Sequence, residues 1–124
     1  MISEAVLCLA MNIYFEARSE GLDGQMAVAE VTMNRVKDPR WPDNICDVVW
    51  QDKQFSWTHD GKSDKMYHTN AKNTSIWLAE AYVSGKIESF FTNGATHYHT
   101  SEVEPYWSNH FEKTTVIGDH IFYR

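Results

Sequence analysis

The N-terminal segment constrains the fold more than any other part of the chain, because it is one helical stretch that is apolar on nearly every face. Residues 3–17 consist mostly of strong helix formers, and Ser3 stands at the position of an N-cap. A helix that is apolar all round is stable only when other elements enclose it. We therefore predict that this helix occupies the centre of the domain.

Glycines and prolines divide the remaining helical pattern into shorter pieces. The predicted helices cover residues 25–36, 44–49 and 70–83. Asn44 stands at an N-cap and Gly85 just beyond the last of these helices, as is typical of helix ends. In the helix over residues 25–36, the inward apolar face consists of Val28, Val31 and Met33. Its polar remainder consists of Glu30, Asn34 and Arg35.

After Gly94 the pattern changes to the two-residue alternation that is typical of strands. One strand is predicted over residues 95–100, and two more, over 114–117 and 121–123, form a hairpin around Gly118-Asp119. The predicted fold class is α+β and mainly helical, with a small β-hairpin or sheet near the C-terminus. Residues 1–124 form a single domain, since this length suits one core and no linker divides it.

Charge and hydropathy exclude two classes of partner. The chain has 11 Lys and Arg against 17 Asp and Glu, a formal net charge of −6, and its basic residues form no stripe. Such a surface repels phosphates, so we expect no nucleic-acid partner. No basic leader and no apolar stretch of about 18 residues is present, so we expect no export signal, no membrane insertion and synthesis in the (host) cytoplasm. We also expect a monomer.

The two cysteines are too few to form a disulfide framework. Cys8 lies in the apolar first helix, and Cys46 lies among Ile45, Val48 and Val49. We expect both to be buried thiols, with a single Cys8–Cys46 bridge as the alternative. Cys8 is a poor nucleophile in such surroundings, because an apolar environment disfavours its thiolate.

Glu16 is the strongest candidate for acid–base chemistry. It follows two aromatic residues at the end of an otherwise apolar helix, where desolvation raises the pKa of a carboxyl group and keeps it protonated as a general acid. Glu20 comes four residues later. If the helical turn continues, the two Cβ atoms lie about 6 Å apart and each charge hinders ionisation of the other. The alternative is two solvated carboxylates at the polar end of a helix.

Aromatic residues are abundant, at 14% of the chain, and several alternate with polar residues over residues 51–65. Such a mixed stretch is typical of an exposed functional loop. Pyranose rings stack on aromatic side chains, while amides and hydroxyls bind the sugar hydroxyls. The candidate glycan cleft consists of Gln54, Phe55, Ser56, Trp57, Tyr98, Tyr106 and Trp107. A place in the core is an equal alternative for Phe55 and for Trp107.

The histidines offer a different chemistry. His97 and His99 flank Tyr98 and share one face of the predicted strand, as two metal ligands do. No HExxH or CxxC pattern accompanies them, and the six glycines never cluster into a phosphate-binding loop. We therefore expect no metal and no cofactor, and zinc chemistry remains the alternative.

Short sequence motifs follow one another in a definite order along nearly the whole chain, and only about residues 60–72 contain none of them. They are AMNIYFEARSEG (10–21), GQMAVAEV (24–31), NRV (34–36), WP (41–42), IC (45–46), VV (48–49), Gln51, QFSW (54–57), GATHYH (94–99), Pro105, Trp107 and IGDHIFY (117–123). In this order they closely resemble the bacterial and phage cell-wall hydrolase family typified by the spore-cortex-lytic enzyme SleB.

This resemblance implies a lysozyme-like catalytic domain that acts on peptidoglycan glycan strands. It implies cleavage of the β-1,4 bond between N-acetylmuramic acid and N-acetylglucosamine, as by a lytic transglycosylase. Glu16 falls on the family's catalytic glutamate and Glu20 on its second acidic position. The residues expected to contact substrate are Glu20, Gln54, Phe55, Ser56, Trp57, His97 and Tyr98.

The chain departs from the family pattern in two respects. His97 and His99 stand where many relatives carry tyrosines. Relatives that act in spores carry an export signal and a wall-binding module, so this chain resembles a phage lysis enzyme or a trimmed catalytic domain. Two alternatives come from other classes of protein. One is an N-acetylmuramoyl-L-alanine amidase or zinc-dependent stem-peptide hydrolase that uses His97 and His99, and the other is a glycan-binding module in which Glu16 is idle.

Overall fold

The central helix predicted from the sequence is α1 (Glu4–Ala17), in a computed structural model that describes residues 2–51, 56–58 and 61–124. Ser3 caps this helix, since its side chain accepts a hydrogen bond from the Val6 amide. Around α1 lie α2 (Leu22–Lys37), α3 (Ile45–Val49) and α4 (Thr69–Val83). The side chains of Leu9, Ile13 and Tyr14 are fully buried as a result.

Helix α2 begins at Leu22 rather than at the predicted Gln25, because Gly24 is not a helix breaker. A Cβ atom at Gly24 would lie only 2.8 Å from the Cβ atom of Glu20. Glycine is therefore needed here for close packing, not for a turn. The Asp23 carboxylate accepts a hydrogen bond from the Gly24 amide at 2.9 Å, which satisfies one of the amides left free at the helix start.

Two polar residues of α2 are buried, although the sequence pattern assigns them to its polar remainder. Glu30 is 2% exposed and accepts hydrogen bonds from the backbone amide and the hydroxyl of Thr92. Arg35 is 4% exposed, and its Nε donates to the Thr96 carbonyl at 2.7 Å. These bonds fasten α2 to the segment that leads into the sheet.

The sheet consists of three antiparallel strands in the order β1-β3-β2 within the described residues, namely β1 (His97–Thr100), β2 (Lys113–Ile117) and β3 (His120–Tyr123). The predicted hairpin joins β2 to β3, with Ile117 opposite His120. Gly118 in its turn has a φ of 56°, a conformation that favours glycine. Phe122, opposite Tyr98, is fully buried and packs the sheet against α2.

Cys8 and Cys46 form a disulfide bond between α1 and α3, so the expectation of two buried thiols is wrong. Their Cα atoms lie 5.3 Å apart, a distance that a disulfide spans readily. Asn44 caps α3 as predicted, and this short helix brings Cys46 beside α1. The sequence left both alternatives open because the two cysteines are 38 positions apart.

Helix α4 completes the helical layer, and Gly85 follows its end with a φ of 79°. Tyr82 of α4 is buried, and its hydroxyl lies 2.7 Å from the Ser89 hydroxyl in a hydrogen bond. Over the residues that the structure describes, none of the helices combines the length and apolarity needed to cross a bilayer. The prediction of a mainly helical α+β fold with a small sheet is confirmed.

Replacing Glu30 with Gln is expected to stabilise the protein at neutral pH. Burial raises the pKa of Glu30, and hydrogen bonds from Ser89 and from the amides of Thr92 and Phe91 offset part of that rise. An acid whose folded-state pKa exceeds its unfolded-state pKa loses stability as the pH rises between those two values, and the loss is complete above the folded value. Each unit of difference costs ~1.4 kcal/mol.

Thermal unfolding measured from about pH 4 to about pH 8 tests this expectation. The Tm of Glu30→Gln should exceed that of the wild type by a few degrees at about pH 8, and the difference should vanish at about pH 4. Glu80→Gln, at an exposed position on α4, is the matched control. A Glu30→Gln protein that is less stable than the wild type at about pH 8 would contradict the argument.

Candidate active site

Glu16 lies in the last turn of α1, half-buried beneath the sheet. The hydroxyl of Tyr98 on β1 donates a hydrogen bond of 2.6 Å to Glu16 Oε1. Burial is the strongest influence on this carboxyl group and raises its pKa, while the Tyr98 hydrogen bond and the charges of His120 and Arg35 oppose part of the rise. The carboxyl group therefore keeps its proton to a higher pH than an ordinary glutamic acid, as a general acid must.

The position of Tyr98 follows from the alternation of side chains along β1. His97 and His99 face one side of the sheet, so Tyr98 faces the other side, where Glu16 lies. Burial and the neighbouring Glu16 raise the pKa of Tyr98 well above its usual value, so the phenol remains a hydrogen-bond donor. Its ring meets the His120 ring edge-on at a centroid distance of 5.2 Å.

Asn12 is a buried amide near the site that the sequence analysis overlooked. Its Oδ1 accepts a hydrogen bond from the indole nitrogen of Trp57 at 3.1 Å, and its Nδ2 donates to the Thr32 hydroxyl at 3.3 Å. Asn12 also interacts with the phenol of Tyr98. A signal was present, because Asn12 is a polar residue one turn before Glu16 on the same face of an otherwise apolar helix.

Trp57 belongs to the core, so the expectation of an exposed loop is wrong at this residue. Its side chain is 5% exposed, stacks on Phe15 at 5.1 Å and meets Trp50 edge-on at 5.0 Å. The indole N–H donates its hydrogen bond to Asn12. Trp57 thus supports the helix that carries Glu16 and leaves little of its ring for a sugar to stack on.

The structure does not test three other residues that were predicted to lie in the glycan cleft. Gln54 and Phe55 lie outside the described residues. Of Ser56 only the backbone is described, at the start of a short 3₁₀ turn (Ser56–Thr58). Their contact with substrate stays a prediction.

Two clefts flank the end of α1. One has a volume of ≈ 240 Å³ and is lined by Phe15, Arg18, Trp57, Lys62, Ser63, Asp64, Lys65 and Tyr67. The other has a volume of ≈ 510 Å³ and is lined by Arg18, Ser19, His68, Thr69, Asn70 and Ala71. The two clefts share Arg18, and Glu16 itself lines neither of them, although its chain neighbour Phe15 lines the first. Both clefts combine polar and charged side chains with apolar surface, and they lie at the end of the helix that carries Glu16.

Glu20 is not paired with Glu16, contrary to the prediction that the two carboxyl groups hinder each other's ionisation. Helix α1 ends at Ala17, so the turn that would bring them together does not continue. The Glu20 carboxylate instead accepts hydrogen bonds from the Asp119 amide at 2.9 Å and from His120 Nδ1 at 3.0 Å. The raised pKa of Glu16 comes from burial.

His97 and His99 face away from Glu16 into a cluster of aromatic side chains. The His97 ring stacks on Phe111 at 4.4 Å, and burial together with Arg35 and Arg40 lowers the pKa of His97 to about 4. The Thr100 carbonyl can only accept, so His99 Nδ1 donates to it at 2.7 Å, and Nε2 accepts from the Tyr123 hydroxyl at 2.9 Å.

The zinc alternative is not favoured by this arrangement. Both ring nitrogens of His99 have protein partners, and its ring packs against that of Trp107 at a centroid distance of 5.7 Å. Trp107 is half-buried in this aromatic cluster, and its contact with substrate stays a prediction. Among residues 2–51, 56–58 and 61–124, no group of three or more His, Cys, Asp or Glu side chains is arranged to hold a metal ion. Tyr106, by contrast, is 83% exposed.

Comparison with known proteins confirms the resemblance noted in the sequence. The cell wall hydrolase family matches residues 19–123. The spore cortex-lytic enzyme of Halalkalibacterium halodurans is 33% identical over 117 residues, which cover 92% of this chain and 33% of that protein. The spore cortex-lytic enzyme of Bacillus subtilis is 37% identical over 54 residues, 44% of this chain and 18% of that protein. The chain thus spans about a third or less of the length of these relatives.

Two solved structures share the fold over nearly the full chain. The catalytic domain of the germination-specific lytic transglycosylase SleB from Bacillus anthracis superposes with a TM-score of 0.80 and 27% identity, over 98% of this chain and 96% of that one. The catalytic domain of the Bacillus cereus SleB protein superposes with a TM-score of 0.72 and 25% identity, over 100% of this chain and 93% of that one. With the family match over residues 19–123, these similarities establish that the chain belongs to the cell wall hydrolase family.

Proposed function

We propose that this chain cleaves the glycan strands of peptidoglycan as a lytic transglycosylase, with Glu16 as its acid–base group. The observation that carries the proposal is the Glu16 carboxyl group itself, which is half-buried, has a raised pKa and accepts a hydrogen bond from Tyr98. Membership of the cell wall hydrolase family and the likeness to a SleB catalytic domain described as a lytic transglycosylase support it.

In the first step, protonated Glu16 donates its proton to the oxygen that bridges N-acetylmuramic acid and N-acetylglucosamine. The bond from that oxygen to C1 of the muramic acid breaks, and positive charge develops on the sugar as in other glycosidases. The leaving sugar departs with a hydroxyl group, and Glu16 is left as a carboxylate.

In the second step, the Glu16 carboxylate removes the proton from the 6-hydroxyl of the same muramic acid, and that oxygen bonds to C1. A 1,6-anhydro ring closes, and Glu16 is protonated again. Between the steps, the Tyr98 hydroxyl and the charges of His120 and Arg35 stabilise the carboxylate, since each of them lowers the pKa of Glu16.

A single carboxyl group is enough for this chemistry, and the likeness to a catalytic domain described as a lytic transglycosylase favours it over hydrolysis. A hydrolase needs a second carboxylate across the scissile bond, either to attack C1 or to activate water. Glu20 is the nearest acidic residue in sequence, and its carboxylate is bonded to the hairpin turn by Asp119 and His120. It is therefore not free to serve as that second group.

Mass analysis of the digestion products tests the proposal. Purified peptidoglycan should give muropeptides that end in 1,6-anhydro-N-acetylmuramic acid, each lighter than the hydrolysis product by one water molecule. Reducing N-acetylmuramic acid ends would instead indicate ordinary muramidase hydrolysis. Free stem peptides, released in a reaction that a chelator stops, would indicate the zinc-dependent amidase. Binding without soluble products would indicate a glycan-binding module.

A further inference from the structure

The carboxylate of Glu20 occupies a fitted site rather than open solvent. Its side chain is 12% exposed, and that of its partner His120 is 4% exposed. Oε1 of Glu20 accepts two hydrogen bonds, from the Asp119 amide at 2.9 Å and from His120 Nδ1 at 3.0 Å. These contacts join the segment after α1 to the β2–β3 hairpin, with His120 standing 100 positions further along the chain than Glu20.

Two glycines leave room for this side chain. A Cβ atom at Gly118 would lie 2.9 Å from Glu20 Oε1, and one at Gly24 would lie 2.8 Å from the Glu20 Cβ atom. Neither position could carry a larger residue without moving Glu20. The backbone thus approaches Glu20 closely on two sides, at its carboxylate from Gly118 and at its Cβ atom from Gly24.

His120 links Glu20 to the candidate acid. Because a carboxylate only accepts hydrogen bonds, the contact to Glu20 fixes a proton on Nδ1 of His120. The His120 ring meets the edge of Tyr98, whose hydroxyl donates to Glu16. The groups that act on Glu16 are Tyr98 from β1, His120 from β3 and Arg35 from α2, and Glu20 is hydrogen-bonded to the second of these.

We propose that Glu20 is a positioning residue, which fixes His120 and thereby holds the Tyr98 hydroxyl and the imidazole charge beside Glu16. In this role neither Glu20 nor His120 touches the substrate. The inference rests on the proposed function of Glu16, and it assigns to Glu20 a task different from substrate binding. The Glu20 carboxylate holds the imidazole by its Nδ1 hydrogen, so the loss of Glu20 releases the ring from its place beside Tyr98 and Glu16.

The test compares Glu20→Gln and His120→Asn with the wild type. His120→Asn keeps an amide donor that can reach Glu20 but removes the ring and its charge. In each variant kcat should fall about tenfold to a hundredfold, as when orienting partners of reactive side chains are removed, while KM changes little. One control is Glu80→Gln, at an exposed position on α4. The other is His110→Asn, at an exposed position just after the second 3₁₀ turn (Tyr106–Asn109).

The pH profile separates this role from a structural one. Activity requires protonated Glu16, so kcat falls as the pH rises through the pKa of Glu16. Removing positive charge raises that pKa, so the alkaline limb should move to higher pH in both variants. A limb that moves to lower pH in Glu20→Gln would show that Glu20 repels Glu16 directly, and an unmoved limb would show a structural role only. Either result overturns the proposal.

Two further measurements test the positioning role by routes other than the pH profile of activity. Carbon-13 NMR of the Glu16 carboxyl group, assigned by its absence in Glu16→Gln, gives the same pKa without substrate. Comparing that pKa between the wild type and the two variants therefore tests the positioning role even if the product analysis contradicts the proposed function. The double variant should be no slower than the slower single variant, because the two residues act as a unit. Additive losses would overturn the proposal.

Discussion

Glu16→Gln is expected to abolish the release of soluble fragments from peptidoglycan and, at the same time, to make the folded protein more stable. Glutamine has nearly the same shape and can still accept the Tyr98 hydrogen bond, but it has no proton to donate to the glycosidic oxygen. Loss of a positioned general acid costs about 10²–10⁴-fold in rate. Here the same group also acts as the base of the second step, so both steps fail.

The gain in stability follows from the direction of the pKa shift. Burial raises the pKa of Glu16 in the folded state, so the folded protein loses stability as the pH rises from the ordinary carboxyl pKa to the raised one. Glutamine carries no such cost. Activity and Tm are measured on one preparation at about pH 7, where ionisation of an ordinary carboxyl group is complete.

A matched control for this experiment is Glu80→Gln, which makes the same chemical change on the exposed side of α4. It should leave both rate and Tm unchanged. A folded Glu16→Gln protein that still releases fragments would refute the catalytic role of Glu16. A Glu16→Gln protein that is inactive but less stable than the wild type would show that ionised Glu16 is not a cost to the fold.

Removing the disulfide is expected to have the largest effect on stability. The bond joins residues 38 positions apart, and closing a loop of that size in the unfolded chain contributes ~2–4 kcal/mol. A Cys8→Ala/Cys46→Ala protein should therefore unfold at a clearly lower temperature. Cys8 lies about 12 Å along α1 from Glu16, so kcat well below the Tm should stay close to the wild-type value.

Reduction of the wild-type protein checks the disulfide by a second route. A thiol reductant should lower the Tm of the wild type towards that of the double variant, and should leave the double variant itself unaffected. A wild-type Tm that does not respond to reductant, with two thiols that react with an alkylating agent before reduction, would contradict a Cys8–Cys46 bond.

The elements of the fold could be predicted because each depends on a local pattern. The first helix is apolar on nearly every face, and this alone required that other elements pack around it, as α2, α3 and α4 do. The hairpin depended on Gly118-Asp119 between two alternating stretches, a signal contained within about ten residues. Glu16 was found in the same way, since its apolar surroundings come in part from neighbours on its own helix.

The features that could not be predicted depend on partners far away in the sequence. Glu30 is buried because Thr92, 62 positions later, binds it. Trp57 is buried because Asn12, 45 positions earlier, accepts its indole hydrogen. Glu20 turns away from Glu16 because its partner His120 lies 100 positions further on. No local pattern contains such information, and a polar or mixed stretch is typical of a surface until its partner is known.

The close approach of Glu20 to Gly118 also has an evolutionary consequence. Gly118 lies against the carboxylate of Glu20 and also has a φ of 56°, so a larger residue there meets two obstacles at once. A descendant that acquires alanine at 118 must both strain the turn and displace the end of the Glu20 side chain, whereas position 20 can shorten without a clash. Position 118 is thus expected to remain glycine in descendants of this chain, even in those that change the residue at position 20.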